Sequence, residues 1–303
     1  MPMSWILGGA GMALALAGTW TGWWMMKRPL EVLAWGTRRS LQKAGLRKQV
    51  VETPPGPQVV YCGGEGPLLV LIHGAGDHAG TWFHAVKALV KTHSLIVPDL
   101  AGHGASAPAS GPIHAADIYA GLEAVLAQLG QGRPLTLVGN SLGAWMASVL
   151  AVRRPDWVVR VVAVNGGPLV GQGQVNLLPA TREEARASMA RLRDPASPAI
   201  PEPVLDDLVR RAKTGPLARF AATAATMPSW ILTEAQLGEV RVPVRLVWGV
   251  SDQLLPLAYA ERMLKALPDA RLIPIERCGH VPQLEAPERF LAALREALGD
   301  PAR

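Results

Sequence analysis

The feature that most constrains this chain is the run Gly139-Asn140-Ser141-Leu142-Gly143. Strand-like residues, Leu135-Thr136-Leu137-Val138, lead into it, and an apolar helical stretch, Ala144 to Arg154, leaves it. A serine on a strand-to-helix turn must take a strained backbone conformation. Glycines two residues before and two residues after it let strand and helix cross without Cβ clashes. The strain presents the Ser141 hydroxyl beyond the sheet, and the start of the following helix offers free N–H groups and a favourable dipole to an oxyanion beside it. Leu142 would give one such N–H. Taken alone, the short pattern also fits a glycine-bounded turn carrying a solvated serine.

Two further groups stand at strand ends in a telling order. Asp252 follows Val244-Arg245-Leu246-Val247-Trp248-Gly249, and His280 follows Arg271-Leu272-Ile273-Pro274-Ile275 and the short segment Glu276 to Gly279. A serine hydroxyl is a poor nucleophile at neutral pH. It needs a histidine to take its proton and an acid to fix the imidazole tautomer and stabilise the imidazolium. Ser141, Asp252 and His280 are therefore the candidate triad, in the chain order nucleophile, acid, base.

With these residues in place the chain resembles the α/β-hydrolase family over roughly residues 58 to 298. His73-Gly74-Ala75-Gly76, after the strand-like Leu68 to Ile72, resembles the family's oxyanion loop, and Asp99-Leu100-Ala101-Gly102-His103-Gly104-Ala105-Ser106 resembles its D-x-x-G-H-G-x-S segment. The resemblance implies a mostly parallel central sheet flanked by helices, with Ala75 as the second oxyanion N–H donor and Gly76 next. It also implies a structural His73, while Asp99 and His103 read as a hydrogen-bonded turn bracing the sheet edge. The elbow serine argues against the dehalogenase and epoxide hydrolase branches, which place aspartate there.

Composition narrows the classes. A chain of 303 residues, 49% hydrophobic and 18% charged, can bury a large core. Cys62 and Cys278 match neither a metal-ligand spacing nor a disulfide framework. Cys278 stands close to His280 but has no ordered base of its own, so it reads as a small buried side chain. No cluster suggests a metal site and no glycine-rich loop is built to cradle phosphates, so no cofactor is expected. The formal net charge of +6 is concentrated in residues 1–48, where Lys27, Arg28, Arg38, Arg39, Lys43, Arg47 and Lys48 face one acid, Glu31. The rest of the chain balances, which speaks against a nucleic-acid-binding face.

The 22 residues Trp5 to Met26 carry no charge. As a helix rising about 1.5 Å per residue they would cross a hydrocarbon core of about 30 Å. Trp20, Trp23 and Trp24, followed by Lys27 and Arg28, resemble an interfacial belt with a charged stop. Residues 1–28 are thus expected to be a transmembrane anchor. A cleaved signal peptide ending near Ala15-Leu16-Ala17 is the rival reading, without the usual basic start. The positive-inside rule puts the catalytic domain on the cytoplasmic side. Residues 29–57 read as a basic juxtamembrane linker or as an amphipathic helix on an anionic lipid surface, closed by Thr53-Pro54-Pro55-Gly56-Pro57. The hydrolase domain is expected over 58–303, with a helical cap inserted at about 168–240. Leu217, Phe220, Met227, Trp230, Ile231 and Leu232 in that insertion either line a substrate pocket or glue the cap to the core.

The resulting expectation is a membrane-anchored serine hydrolase acting on small apolar esters, its partners being that substrate and membrane lipid. One alternative is a carbon–carbon bond hydrolase of dienoic ring-cleavage products. The elbow and Cys278-Gly279-His280 resemble that subfamily, but Val281 stands where an aromatic residue often follows the histidine. Another alternative is a tethered scaffold that keeps the fold without catalysis.

Overall fold

The computed structural model describes residues 27–171, 173 and 175–299. Its strands are β1 (Arg47–Val51), β2 (Gln58–Gly63), β3 (Leu68–Ile72), β4 (Ser94–Pro98), β5 (Leu135–Asn140), β6 (Val158–Val164), β7 (Val244–Gly249) and β8 (Ala270–Ile275). They form one sheet in the order β1-β2-β4-β3-β5-β6-β7-β8. The pairs β1/β2 and β2/β4 are antiparallel and every other pair is parallel.

Strands buried on both faces read as continuous apolar runs, because successive side chains enter opposite layers. In β3, Leu68, Val70 and Ile72 join the core layer shared with Ile118, Leu122, Met146 and Val149, whereas Leu69 and Leu71 join the layer shared with Val86, Leu89, Phe290 and Leu294. Helices Ala115–Gly130 and Leu142–Arg153 thus cover one face, and Phe83–Leu89 and Pro287–Leu298 the other. The sheet's parallel strands all end on one side, where loops carry the candidate residues.

Between β6 and β7 the chain runs through helices Arg182–Leu192, Glu202–Thr214, Pro216–Ala221 and Glu234–Leu237, with a 3₁₀ turn over Ala224–Trp230. This is the stretch expected to form the cap. Helix Arg182–Leu192 is capped by Thr181, whose hydroxyl accepts from Glu184 N–H.

Residues 29–57, read from the sequence as a basic linker or an amphipathic helix, hold both a helix and a strand. Helix Pro29–Lys43 buries Ala34, Thr37 and Leu41, and β1 adds an edge strand to the sheet, so ordered structure begins well before residue 58. Strand β1 escapes a sequence reading because it is an edge. Arg47, Lys48, Gln49 and Val50 are exposed and only Val51 is buried, so the strand is held by backbone pairing and guarded by charge. The helix also docks against the insertion: Leu30 N–H donates to Asp207 Oδ2 at 3.0 Å and Arg210 bridges Glu31 and Asp207 at 2.7 Å each. No helix among the described residues is long and apolar enough to cross a membrane, and the expected anchor, Trp5 to Met26, lies outside them.

Candidate active site

Ser141 stands between β5 and helix Leu142–Arg153 with φ 53° and ψ −115°, a conformation L-residues avoid. The flanking glycines make it possible. A Cβ on Gly139 would lie 2.2 Å from the Gly143 carbonyl carbon, and one on Gly143 would lie 2.2 Å from the Ile72 carbonyl oxygen. The first hydrogen bond of the helix runs from Trp145 N–H to Ser141 O, which leaves the Leu142 amide without an intrahelical partner.

Asp252 and His280 are brought together as the sequence order requires. His280 Nδ1 donates to Asp252 Oδ2 at 2.7 Å, and both residues are buried. That same Oδ2 accepts from Asn165 Nδ2 at 2.8 Å, while Oδ1 accepts from the amides of Leu254 at 2.8 Å and Leu255 at 3.1 Å. With every contact a donor to the carboxylate, the Nδ1–H tautomer of His280 is fixed and Nε2 is left to act as a base. Ser141 and His280 line one cavity of about 240 Å³ together with Ala75 and Gly76. Ala75 and Leu142, the expected oxyanion donors, therefore flank the serine from the β3 loop and from the helix start.

The rest of that cavity is supplied by the insertion and is mainly apolar: Ala185, Met189, Leu192, Leu208, Ala212 and Leu217. Of the apolar residues read as either pocket lining or glue to the core, Leu217 lines the cavity. Phe220 and Leu232 are buried in the core, Met227 and Trp230 pack against it, and the Trp230 carbonyl accepts from Trp145 Nε1 at 2.8 Å. These residues hold the insertion against the core.

Several positioning residues went unread in the sequence. Asn165, in a left-handed conformation at φ 41°, accepts the Gly249 N–H at 2.9 Å as well as donating to Asp252, so it ties the end of β6 to the acid loop. Asn140 donates to His280 O at 3.0 Å and Val164 O at 3.0 Å, and accepts from Gln283 Nε2 at 3.1 Å. The end of helix Arg182–Leu192 grips both loops that carry the candidate residues. The His280 amide donates to Leu192 O at 2.7 Å and the Gln253 amide to Arg191 O at 3.1 Å, while Ser251 Oγ donates to Asp194 Oδ2. Glu285 closes this clamp, accepting from the amides of Asp194 and Gly279 at 2.7 Å each and from Ser197 Oγ. Only an asparagine at the end of a core strand could have hinted at one of these roles.

The other histidines and the thiols behave as structural groups. Nε2 of His73 accepts from Leu100 N–H at 3.0 Å and Nδ1 donates to Gly74 O, and burial holds the ring neutral with a pKa lowered to about 4. Asp99 accepts from the amides of Ala79 at 2.7 Å and Ala105 at 2.9 Å, and its carbonyl accepts from Ser106 Oγ, the bracing turn expected of that segment. Burial pushes the Cys278 thiol up to about 12, which suits an inert core side chain. Among the described residues no group of His, Cys, Asp and Glu could hold a metal ion.

Comparison with known proteins bears on the family and the fold. The Alpha/beta hydrolase family profile matches residues 69–293. A pimeloyl-[acyl-carrier protein] methyl ester esterase of Aromatoleum aromaticum is 33% identical over 242 residues, which span 73% of this chain and 94% of that protein. A 2-hydroxy-6-oxononadienedioate/2-hydroxy-6-oxononatrienedioate hydrolase of Paraburkholderia phymatum is 28% identical over 253 residues, covering 76% of this chain and 86% of that protein. The crystal structure of a membrane phospholipase A, described as a bacterial virulence factor, superposes with a TM-score of 0.78 over 98% of each chain at 24% identity, a likeness of fold. The strained serine turn, the ordered acid and histidine and the matching profile lead to one conclusion: this chain belongs to the α/β-hydrolase family.

Proposed function

We propose that the protein is a serine hydrolase of carboxylic esters that works through an acyl-enzyme on Ser141. The observation that carries this reading is the coupling of His280 Nδ1 to the four-times hydrogen-bonded Asp252 carboxylate beside an apolar cavity shared with Ser141. His280 Nε2 takes the proton of Ser141 Oγ as it attacks the ester carbonyl. The Ala75 and Leu142 amides receive the oxyanion, and His280 returns the proton to the leaving alcohol before water repeats the cycle. The apolar wall of the cavity suits an acyl chain rather than a charged one.

Tethering to a membrane is part of the proposal. It rests on the uncharged stretch Trp5 to Met26, on the basic residues that follow it, and on the outer face of helix Pro29–Lys43, where Leu33 and Trp35 are exposed and the Arg39 guanidinium lies 5.6 Å from the Trp35 ring. The catalytic domain is placed on the cytoplasmic side by the positive-inside asymmetry. The similarity to a ring-cleavage-product hydrolase keeps carbon–carbon hydrolysis as the second reading. A panel of p-nitrophenyl esters of graded acyl length, run beside a dienoic diketone, separates the two. Ester turnover that is lost in Ser141→Ala supports the first, turnover of the diketone alone supports the second, and inertness to both, with no labelling by a fluorophosphonate, would leave a scaffold.

A further inference from the structure

A second cavity, of about 500 Å³, adjoins the one that holds Ser141, and Asp77, Arg211, Gly215 and Pro216 belong to both walls. Its own wall is polar, with the charged Arg38, Arg210 and Glu31 and the neutral ring of His78. Most of these charges are already matched. Arg210 is bound to Glu31 and Asp207 at 2.7 Å each, and Glu31 also meets Arg28 at 3.2 Å. Two guanidinium groups remain. Among the described residues Arg38 makes no hydrogen bond and no ion pair, and its Nε is buried without a partner. Among the described residues the Arg211 guanidinium donates to the Gly76 carbonyl at 3.1 Å and to no other acceptor. Both act on the same ring: burial chiefly, then Arg38 and, further down, Arg211 lower the His78 pKa to about 3. The acid in the shared wall, Asp77, has its carboxyl raised to about 6 by burial and is still mostly ionised at neutral pH; it interacts electrostatically with Arg211, as buried Asp99 does with Arg38, yet neither carboxylate is hydrogen-bonded to these guanidinium groups among the described residues.

With the Arg38 Nε buried without an acceptor and Arg211 holding a single backbone carbonyl, the two guanidinium groups keep donors free for a planar or tetrahedral oxyanion as ligand. We propose that this second cavity is a substrate subsite for an anionic group, a phosphate or carboxylate carried on the leaving-group side of the ester, held by Arg38 and Arg211. The assignment rests on Ser141 as the nucleophile. The acyl chain fills the apolar cavity, the carbonyl lies at Ser141, and the anionic alcohol extends past the Gly76 loop to the arginines. Hydrolysis adds one water, breaks the acyl C–O bond and releases a fatty acid and the anionic alcohol.

Two arms test this on the full chain in detergent. In the first, dihexanoyl-glycerol 3-phosphate, dihexanoylglycerol and the dihexanoylglycerol hemisuccinate are compared as substrates. Arg38→Gln should raise KM for an anionic ester about tenfold more than for the neutral one, with kcat little changed, as expected for one lost charge-assisted contact. Arg38→Lys should recover part of the difference. Selectivity lost on the phosphate ester assigns a phosphate, and on the hemisuccinate a carboxylate. An equal KM change on all three esters would overturn the subsite. The second arm needs no turnover and no Arg38 variant: glycerol 3-phosphate or succinate should raise the melting temperature of Ser141→Ala as it does that of the unaltered protein, while choline should not. No stabilisation by either anion would sink the subsite alone, whereas full ester turnover by Ser141→Ala would sink the catalytic reading alone.

Discussion

Glu285→Ala offers the deepest check on how the cap governs the catalytic loops. The Glu285 carboxylate accepts from the amides of Asp194 and Gly279, each at 2.7 Å, and from Ser197 Oγ. A hydrogen bond to a charged group contributes about 1.5–3 kcal/mol, and because in this partly exposed setting water takes over some of the freed donors, the combined loss falls below the simple sum of three such bonds, at about 2–4 kcal/mol. Freed of Glu285, the Gly279 amide no longer anchors the residue before His280, whose own amide still holds Leu192 O at 2.7 Å. A shift of about 1 Å in the histidine costs on the order of 10²-fold in rate. The expected outcome in an ester assay is therefore a kcat lowered by about 10²-fold at nearly constant KM, with a melting temperature lowered by several degrees. Glu285→Gln keeps one carbonyl acceptor and should fall between the two. A folded Glu285→Ala protein whose kcat stays within about twofold of the unaltered enzyme would refute the idea that this clamp positions His280.

Asp252→Asn should lower kcat by about 10⁴-fold with the fold retained, because the amide favours the wrong imidazole tautomer; turnover near the unaltered rate would name another acid. Asn165→Leu, which removes a donor from Asp252 and the acceptor of the Gly249 N–H, should cost about 2 kcal/mol of stability in denaturant titration and lower kcat as well. Stability should fall on acidification from about pH 6.5 towards pH 4. His73, His78 and His103 have folded pKa values lowered to about 4, about 3 and about 3, so the unfolded chain binds their protons first. Asp77 works the other way, since its folded pKa is raised to about 6, so Asp77→Asn should make the acid-side loss of melting temperature steeper. Deleting residues 1–26 should release the protein from membranes in fractionation, more fully at high salt, and a deletion that stays membrane-bound at high salt would contradict the anchor.

The sequence was most readable where local chemistry demands a rare pattern. A strained serine needs close glycines, and the triad must follow in a fixed order, so Ser141, Asp252 and His280 stand out without any contact map. The long apolar strands were equally plain because both faces of the sheet are covered. What escaped detection depends on long-range geometry. Glu285 lies far in sequence from Asp194 and carries no local signature of the carboxylate that joins cap to histidine loop. The edge strand β1 lacks apolar alternation because nothing covers it, and Phe220 and Leu232 could not be told from pocket residues because a buried apolar side chain looks the same in either role. Asn165 likewise carries no local signature: an asparagine after a core strand does not announce that its amide will hold an acid 87 residues further on.

The central claim is that Ser141 is the nucleophile, activated by His280. Peptide mapping of the purified full chain after reaction with a fluorophosphonate tests it most directly. The account predicts a single phosphonyl adduct on the peptide that carries Ser141, formed at a rate that falls steeply in His280→Gln and Asp252→Asn. Ester hydrolysis that persists with no adduct at Ser141, or with the label on another residue, would contradict it.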